Sequence, residues 1–479
     1  MSYWNWPIQF EGTRDSDRRI SKGCPKGDPN LLPLTNRSKT SVSMLARISV
    51  AAVLCFCVPQ ATRAQSTETE SAATEASSPP FPPTRIIDVE AARRAKRREH
   101  TYKLHHLPLK PFESLGSAME KGLVAVDKHH LIDRAHYYLT EHDRGFLPLF
   151  GNFGTGTGMT LGVKYYRNDF LVPGGHIEFP VRVSSLLYQE YGAAMRLPVG
   201  SRRGVFFDAG AFYRVRTRDN FFGLGNDSSP GGRTTFMLRS REFSMGPGFD
   251  LPHNLRVVTR FGYRSETVLD GKDPRFPGIT AGFVPGTVPG ILGGVRQWIG
   301  GTELVHDTRD FAGRPRHGSY QSLAVSWHQS ADERNFAWWR YELNAEHYVP
   351  LGSRNRTLAL RFQSVSNLPR GGSAVPFFDQ AFLGGLSTLR GFPEYRFRDL
   401  SSIMMTAEYR YNLNSYMDVV TFVDAGEVMR RTSDFNWSRL HASYGIGLRF
   451  LSRGSTPFKI IVARSGEGTR VYLSIGATF

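Results

Sequence analysis

Arg470–Phe479, RVYLSIGATF, is the stretch whose pattern decides the fold. Val471, Leu473, Ile475, Ala477 and Phe479 fall on one face of an extended strand, and Arg470, Tyr472, Ser474, Gly476 and Thr478 on the other, because successive side chains of a strand point to opposite faces. The same period of two sets Tyr341, Leu343 and Ala345 against Arg340, Glu342, Asn344 and Glu346. It sets Leu358, Leu360 and Phe362 against Arg361 and Gln363, and Ile403, Met405, Ala407 and Tyr409 against Thr406, Glu408 and Arg410. From about Arg144 to Phe479, aromatic residues and glycines alternate with polar ones in this way.

A soluble sandwich alternates too, with its apolar face inside. Two features favour the inverted arrangement, with the apolar face toward lipid. The segments approach the roughly 9–11 residues that a tilted strand needs to cross a bilayer. Tyr and Trp gather near segment ends, at Trp338, Trp339, Tyr348, Tyr409 and Tyr411, as interfacial girdles do. A spanning sheet must also close, because an open edge in lipid leaves backbone groups unpaired. The expectation is an all-β fold, a transmembrane antiparallel β-barrel of about 16 strands over residues 144–479.

Composition agrees. The chain has 479 residues, 60 Lys+Arg against 43 Asp+Glu, 12% aromatic residues and 48 Gly, with a mean hydropathy of −0.33. The longest nearly unbroken apolar run, Ile48–Val58, is far short of the roughly 20 residues of a membrane-spanning helix. A polytopic helical membrane protein is therefore excluded, and a barrel is not, because alternating strands average to mild hydropathy.

The three cysteines, Cys24, Cys55 and Cys57, all lie early. Met44–Gln65, MLARISVAAVLCFCVPQATRAQ, has a secretory signal's three parts: Arg47, an apolar stretch and the small-residue exit Thr62-Arg63-Ala64. Residues 44–64 are expected to be a signal cleaved after Ala64, with 1–43 a mis-called extension ahead of a true start at Met44. Leu54 before Cys55 and Phe56 before Cys57 exclude a lipoprotein signal. The mature chain then has no cysteine, which suits an oxidising compartment reached without disulfides. Residues 65–143 read as a periplasmic segment. Ser66–Pro83 is Ser/Thr/Glu/Pro-rich and expected to be disordered. Ala91–His106 is basic, and Lys110–Asp143 is weakly helical. No basic face on a folded module is visible, so nucleic acid is not an expected partner. His105-His106 and His129-His130 lack the further ligands a metal site requires.

The connections within 144–479 divide into two kinds. Pro252-His253-Asn254, Leu351–Asn355, Asn412–Tyr416 and Arg453–Pro457 read as short periplasmic turns, and Asn220–Arg233, Leu269–Val295 and Pro369–Ser401 as longer outer loops. An even strand count leaves both barrel ends in the periplasm.

Three stretches, Phe382–Asp399 (FLGGLSTLRGFPEYRFRD), Ala407–Asn412 (AEYRYN) and Thr421–Val428 (TFVDAGEV), precede the terminal Phe479. In this order they resemble the bacterial surface antigen barrel, the BamA/TamA family of outer-membrane assembly factors and their relatives the two-partner secretion transporters. Phe222–Asn226 (FGLGN) and Asp307–Gly318 (DTRDFAGRPRHG) match more loosely. The resemblance covers about 144–479 and is strongest from residue 300 onward. It implies a sixteen-stranded barrel whose sixth outer loop folds into the lumen, pinned by an Arg-Gly-Phe/Tyr tip. Here the tip is Arg390-Gly391-Phe392, and the resemblance implies that Arg390 meets inward carboxylates at Glu408 and Asp424. It further implies a barrel-end assembly signal in the last strand, at Tyr472 and Phe479.

The residues support the pin independently. Alternation places Glu408 opposite Ile403, Met405 and Ala407, hence toward the lumen, and Val423 and Ala425 facing lipid would put Asp424 there too. An Arg fork engages carboxylates bidentately, which Lys cannot copy. Gly384, Gly385 and Gly391 allow positive φ and close backbone approach. Without such pinning a loop of over thirty residues, Pro369–Ser401, has no reason to be ordered. The family's periplasmic repeat modules are not recognisable: Ser66–Asp143 is barely the length of one, and no complete module is visible.

No Gly-x-Ser-x-Gly elbow, His-Glu-x-x-His or Walker loop is present. Gly154–Gly158 opens a strand rather than a helix and is not a phosphate cradle. His328, His347 and His441 have no assignable serine partner. No enzyme, cofactor or metal is expected. Two functions remain. One is assembly or translocation of unfolded outer-membrane or secreted polypeptides through a weakened first–last strand seam, in contact with outer-membrane lipid of a Gram-negative cell. The other is a passive channel or structural barrel that keeps the shell alone, with Arg340, Arg361 and Arg410 tuning ion preference.

Overall fold

Inward-facing polar side chains and outward-facing apolar ones recur along one continuous antiparallel sheet. A computed structural model describes residues 143–475, apart from 155, 201–203, 285, 292, 333–334, 353–354, 415–416 and 451–457. The expected extension 1–43, signal 44–64, all but Asp143 of the segment 65–143, the His105-His106 and His129-His130 pairs and Phe479 lie outside the described residues. The strands are β1 Arg144–Gly151, β2 Thr160–Asn168, β3 His176–Ser184, β4 Gln189–Pro198, β5 Val205–Phe221 and β6 Thr234–Leu251. They continue with β7 Leu255–Asp270, β8 Gly294–Asp307, β9 Gly318–Ser330, β10 Ala337–Pro350 and β11 Arg356–Pro369. A two-stranded hairpin, β12 Ala381–Leu383 and β13 Phe397–Asp399, lies inside the next connection. The series ends with β14 Ser401–Asn414, β15 Met417–Met429, β16 His441–Phe450, β17 Phe458–Ser465 and β18 Gly468–Ile475. Without the hairpin these form a 16-stranded sheet in sequence order.

The sheet curls into a nearly closed barrel. β1 and β18 come side by side, but among the described residues they share no ladder. Strand length is uneven around the wall. β5 to β11, β14 and β15 run 13–18 residues. β1 to β4, on one side of the seam, run only 8–10.

Facing follows parity. On β10, Trp339, Tyr341 and Leu343 are exposed outward while Arg340, Glu342 and Glu346 are buried inside. Two of the expected girdle residues break the expectation. Trp338 is fully buried and stacks on His328 at 4.4 Å, and Tyr348 is buried with its O–H donating to Glu346 Oε2 at 2.7 Å. Adjacent residues cannot both face lipid on a strand, so the Trp338-Trp339 pair is split between the two faces. On β5 the parity itself changes: a register shift between Arg216 and Asp219 turns Asp219 and Phe221 inward.

One barrel end carries the short β6–β7 and β10–β11 connections, and the other the long β5–β6, β7–β8 and β11–β14 ones. Length alone does not sort the two ends. The connection 308–317 lies at the short-turn end, and 185–188 and 466–467 at the long-loop end; strand count decides the side. At the long-loop end Phe221, Phe236, Ile279, Ile291, Phe377 and Phe378 form an apolar cluster. Phe377 lies 4.9 Å from both Phe221 and Phe236, so the cluster ties the start of connection 370–400 to the rim.

Candidate functional site

Connection 370–400, the sixth at the long-loop end, returns into the barrel. After Phe377–Asp379 it runs along β12, turns at Gly384-Gly385, reaches its tip at Arg390-Gly391-Phe392 and comes back along β13. Gly384 and Gly385 have φ of +115° and +94°, and a Cβ on either would collide with the returning limb, at Pro393 O and the Glu394 carboxylate. Gly391 differs from the expectation: its φ is not positive. It is needed for close approach alone, since a Cβ there would sit 2.6 Å from Ser443 Cβ and 2.7 Å from Ser465 Cβ.

Arg390 is fully enclosed. Its Nε and Nη2 donate to the two carboxylate oxygens of Asp424 at 2.9 and 2.7 Å, and Nη1 donates to Glu408 Oε2 at 2.7 Å. Its backbone N–H also reaches Asp424, at 3.2 Å, and the guanidinium lies 3.4 Å above the Phe422 ring. Thr406 and Ser443 hydroxyls donate to Asp424 at 2.9 and 3.3 Å. Glu408 in turn accepts Arg410 Nε at 2.8 Å. Both carboxylates are inward on their strands, at 0% exposure for Asp424 and 3% for Glu408. Buried ions of this kind are tolerable because each is paired and hydrogen-bonded.

The tip reaches farther along the wall than the carboxylates. Ser465 Oγ on β17 donates to Gly391 O at 2.8 Å, and Tyr472 O–H on β18 donates to Phe392 O at 3.2 Å. Glu408 is on β14, Asp424 on β15 and Ser443 on β16. The tip therefore touches every strand from β14 to β18. Phe392 packs with Leu383, Leu389, Phe397, Met404 and Val428 in one buried cluster. Among the expected site residues, Arg390, Gly391, Phe392, Glu408, Asp424 and Tyr472 come together, with Gly384 and Gly385 shaping the turn.

A second attachment was not read from the sequence. Asp379, just before β12, accepts Arg264 Nη2 at 2.5 Å and Gln297 Nε2 at 3.0 Å, and its backbone carbonyl accepts Arg340 Nη1 at 2.8 Å. Arg264 also pairs with Glu266 at 3.1 Å. The available signal was inward parity at Arg264 and Arg340, but every lumen position of a barrel is polar, so parity did not single them out. Ser326 Oγ and His328 Nε2 lie 3.1 Å apart in the same layer, and both are buried.

The loosely matching FGLGN stretch lies against the returning limb. Gly225 N donates to Arg398 O at 2.7 Å, and Asn226 Oδ1 accepts Val428 N at 3.2 Å. Arg396 crosses between loops, from Glu467 Oε1 at 2.7 Å to Ser228 O at 2.6 Å. Among the described residues no group of three or more His, Cys, Asp or Glu is placed to hold a metal ion.

The Omp85 superfamily domain matches residues 238–479, from within β6 onward. In structure the chain is similar to BamA from Haemophilus ducreyi lacking POTRA domains 1-3, with a TM-score of 0.54 and 15% identity over 70% of each chain. It is also similar to CdiB from Acinetobacter baumannii and from Escherichia coli, each with a TM-score of 0.46 and 13% identity. These cover 71% of this chain and 60% and 64% of theirs. At such identities the likeness is one of fold. No curated protein matches the chain.

Proposed function

Since the chain belongs to the Omp85 superfamily, we propose that it resides in the outer membrane of a Gram-negative bacterium and inserts or translocates polypeptides there. The long-loop end then faces outward and the short-turn end the periplasm. The observation in favour is the reach of the Arg390 tip over β14 to β18, which end at the β1–β18 junction. A loop fastened to those five strands holds one side of the seam in a single arrangement. When it shifts, the seam strands shift with it.

Strand length supplies the second support. An 8-residue strand such as β1, at about 3.3 Å per residue and tilted about 45°, spans roughly 19 Å of membrane thickness, whereas the apolar band of an ordinary barrel is about 25 Å tall. A 14-residue strand such as β10 spans roughly 33 Å on the same reckoning. The bilayer beside the seam is thinned to meet the short strands. An incoming strand can pair at the β1–β18 junction there, at a lowered cost of entering lipid and without a nucleotide.

A passive or structural barrel is the second reading, in which the inward Arg340 and Arg410 would line the path. Against it, the tip and the Phe377 cluster occupy the middle and the outer end of the lumen, where a standing pore would need an open path. The deciding experiment is the outer-membrane proteome after depletion of this protein. Loss of other barrels or exported proteins is expected. An unchanged proteome would leave the passive barrel standing.

A further inference from the structure

Three exposed arginines stand together on the lipid-facing side of the wall. Outward positions on β6 are the odd ones, marked by the exposed Phe243, Met245 and Phe249, and the exposed Arg239 and Arg241 continue that face. Outward positions on β8 are the even ones, marked by Trp298 and Leu304, and the exposed Arg296 continues them. Register brings the cations level. Arg241 is directly opposite Ser265 of β7, and Ser265 is directly opposite Arg296. Two strand spacings of about 4.8 Å separate Arg241 from Arg296, so both long side chains can converge over the small Ser265. Arg239 lies one outward position farther from the periplasm, opposite Thr267.

Depth decides what they meet. The next outward row toward the periplasm is Phe243, Tyr263 and Trp298. The Trp298 ring lies 5.0 Å from that of Tyr263 and stacks on Phe261 at 5.4 Å. Aromatic rows of this kind sit at headgroup level. Arg241 is ten residues from Leu251, the periplasmic end of β6, and Arg296 is eleven from Asp307, the periplasmic end of β8. At about 3.3 Å per residue and a tilt of about 45°, these are roughly 23 and 26 Å of thickness, against an apolar band about 25 Å tall. The guanidiniums therefore emerge at the far edge of the hydrocarbon.

Their neighbours in the ladder, Val215, Ser265, Thr267 and Gly294, are uncharged. Arg241 lies 6.0 Å from the centre of the Tyr213 ring, and among the described residues none of the three arginines has a carboxylate partner. The periplasmic end of the same strands differs, since the exposed Arg256 there is paired with Asp250.

We propose that Arg239, Arg241 and Arg296 bind the phosphate of a lipid headgroup in the outward leaflet. The inference rests on the orientation proposed above, with the long-loop end outward. Guanidinium forks engage phosphate oxygens in pairs, and the Ser265 hydroxyl adds a donor between them. A lipid fits better than a free anion. Exposed cations hold a free ion weakly, because water and salt screen the pair, whereas the aromatic row just below gives the acyl chains of a lipid a bed. β6 to β8 are the sixth to eighth of sixteen strands, remote from the seam, so the bound lipid anchors the wall that stays still while the seam strands shift.

The test uses the full-length protein in dodecyl maltoside without phosphate, at fixed ionic strength. Thermal melting of the folded band is followed while short-chain phosphatidic acid, phosphatidylcholine with the same chains, or inorganic phosphate is titrated. Phosphatidic acid is expected to raise the melting temperature saturably and more than either other probe. In the Arg241→Gln/Arg296→Gln variant the apparent affinity should fall about tenfold or more, as losing charge-assisted hydrogen bonds implies. If that variant does not fold, Arg296→Gln alone is read the same way. Arg464→Gln, at an exposed position of β17, should respond as the parent does. Equal stabilisation by phosphatidylcholine overturns the proposal in favour of acyl contact alone, and equal stabilisation by orthophosphate overturns the lipid source. An equal loss in Arg464→Gln overturns it in favour of general surface charge. It also falls if phosphatidic acid has no effect or the double variant responds as the parent does. These readings do not depend on polypeptide insertion: the site stands on them even where depletion leaves the proteome unchanged, and falls on them even where the proteome changes. The leaflet is tested by Thr267→Cys, which should react with a membrane-impermeant maleimide on intact cells; reaction only in opened cells overturns the outward placement.

Discussion

Connection 370–400 is fastened to the barrel wall at two places, with the charges exchanged between them. At Asp379 a loop carboxylate sits among Arg264, Gln297 and Arg340, on β7, β8 and β10. At Arg390 a loop guanidinium sits between Glu408 and Asp424, on β14 and β15, and its neighbours reach β17 and β18. The first attachment holds the long-stranded wall. The second holds the strands that run to the seam. The connection is therefore a strut between a part of the wall remote from the seam and the strands that run to it. The stronger chemistry is on the seam side: one planar fork satisfies two carboxylates at once, whereas Asp379 adds to cations and amides that already have partners nearby, such as Glu266 beside Arg264.

That difference sets an order of effects. Arg390→Ala should do most. It leaves Asp424 and Glu408 buried without their fork, a loss on the order of 3–5 kcal/mol, seen as earlier melting of the folded, unheated band on a gel. An unchanged melting point would remove the tip from the strut. Asp379→Asn keeps size but removes one charge and one of the two acceptor oxygens, and should cost about 1.5–3 kcal/mol. Protease cleavage should become easier in 370–376 while the tip stays protected. If it melts the barrel as early as Arg390→Ala does, the two attachments are one cooperative unit and the contrast between them fails. Tyr472→Phe is the mildest. It removes one hydrogen bond to Phe392 O, at 3.2 Å, worth about 0.5–1.5 kcal/mol. Its sharper readout is crosslinking between 392 and 472, which should weaken while cleavage near 370–376 does not change.

Much of the tip was legible before any coordinates. Period-two alternation assigns Glu408 and Asp424 to one face from their neighbours alone, because backbone pleating forces successive side chains apart. The Arg-Gly-Phe tip was marked by the family resemblance, and Gly384-Gly385 by glycine's freedom of backbone conformation. The part of the seam-side hydroxyls in holding the tip was not legible, although Tyr472 itself was singled out as part of the last strand. Ser465 and Tyr472 matter because a tip some seventy residues earlier in the chain arrives beside them, and alternation says nothing about arrivals.

The same division runs through the whole chain. Local geometry and solvent preference were written in the residue order: strand periodicity, the exclusion of spanning helices and the inward carboxylates all follow from pleat and lipid. Three-dimensional closure decided the rest. The register shift at 216–219 turns Phe221 inward to meet Phe377. Parity, not residue type, puts Trp338 inside and Trp339 outside. Asp379 finds Arg264 from 115 residues away. Each depends on which distant groups the closed sheet brings within hydrogen-bonding or van der Waals reach. Such forces act over a few ångströms, and no local pattern encodes which remote partner will come that close.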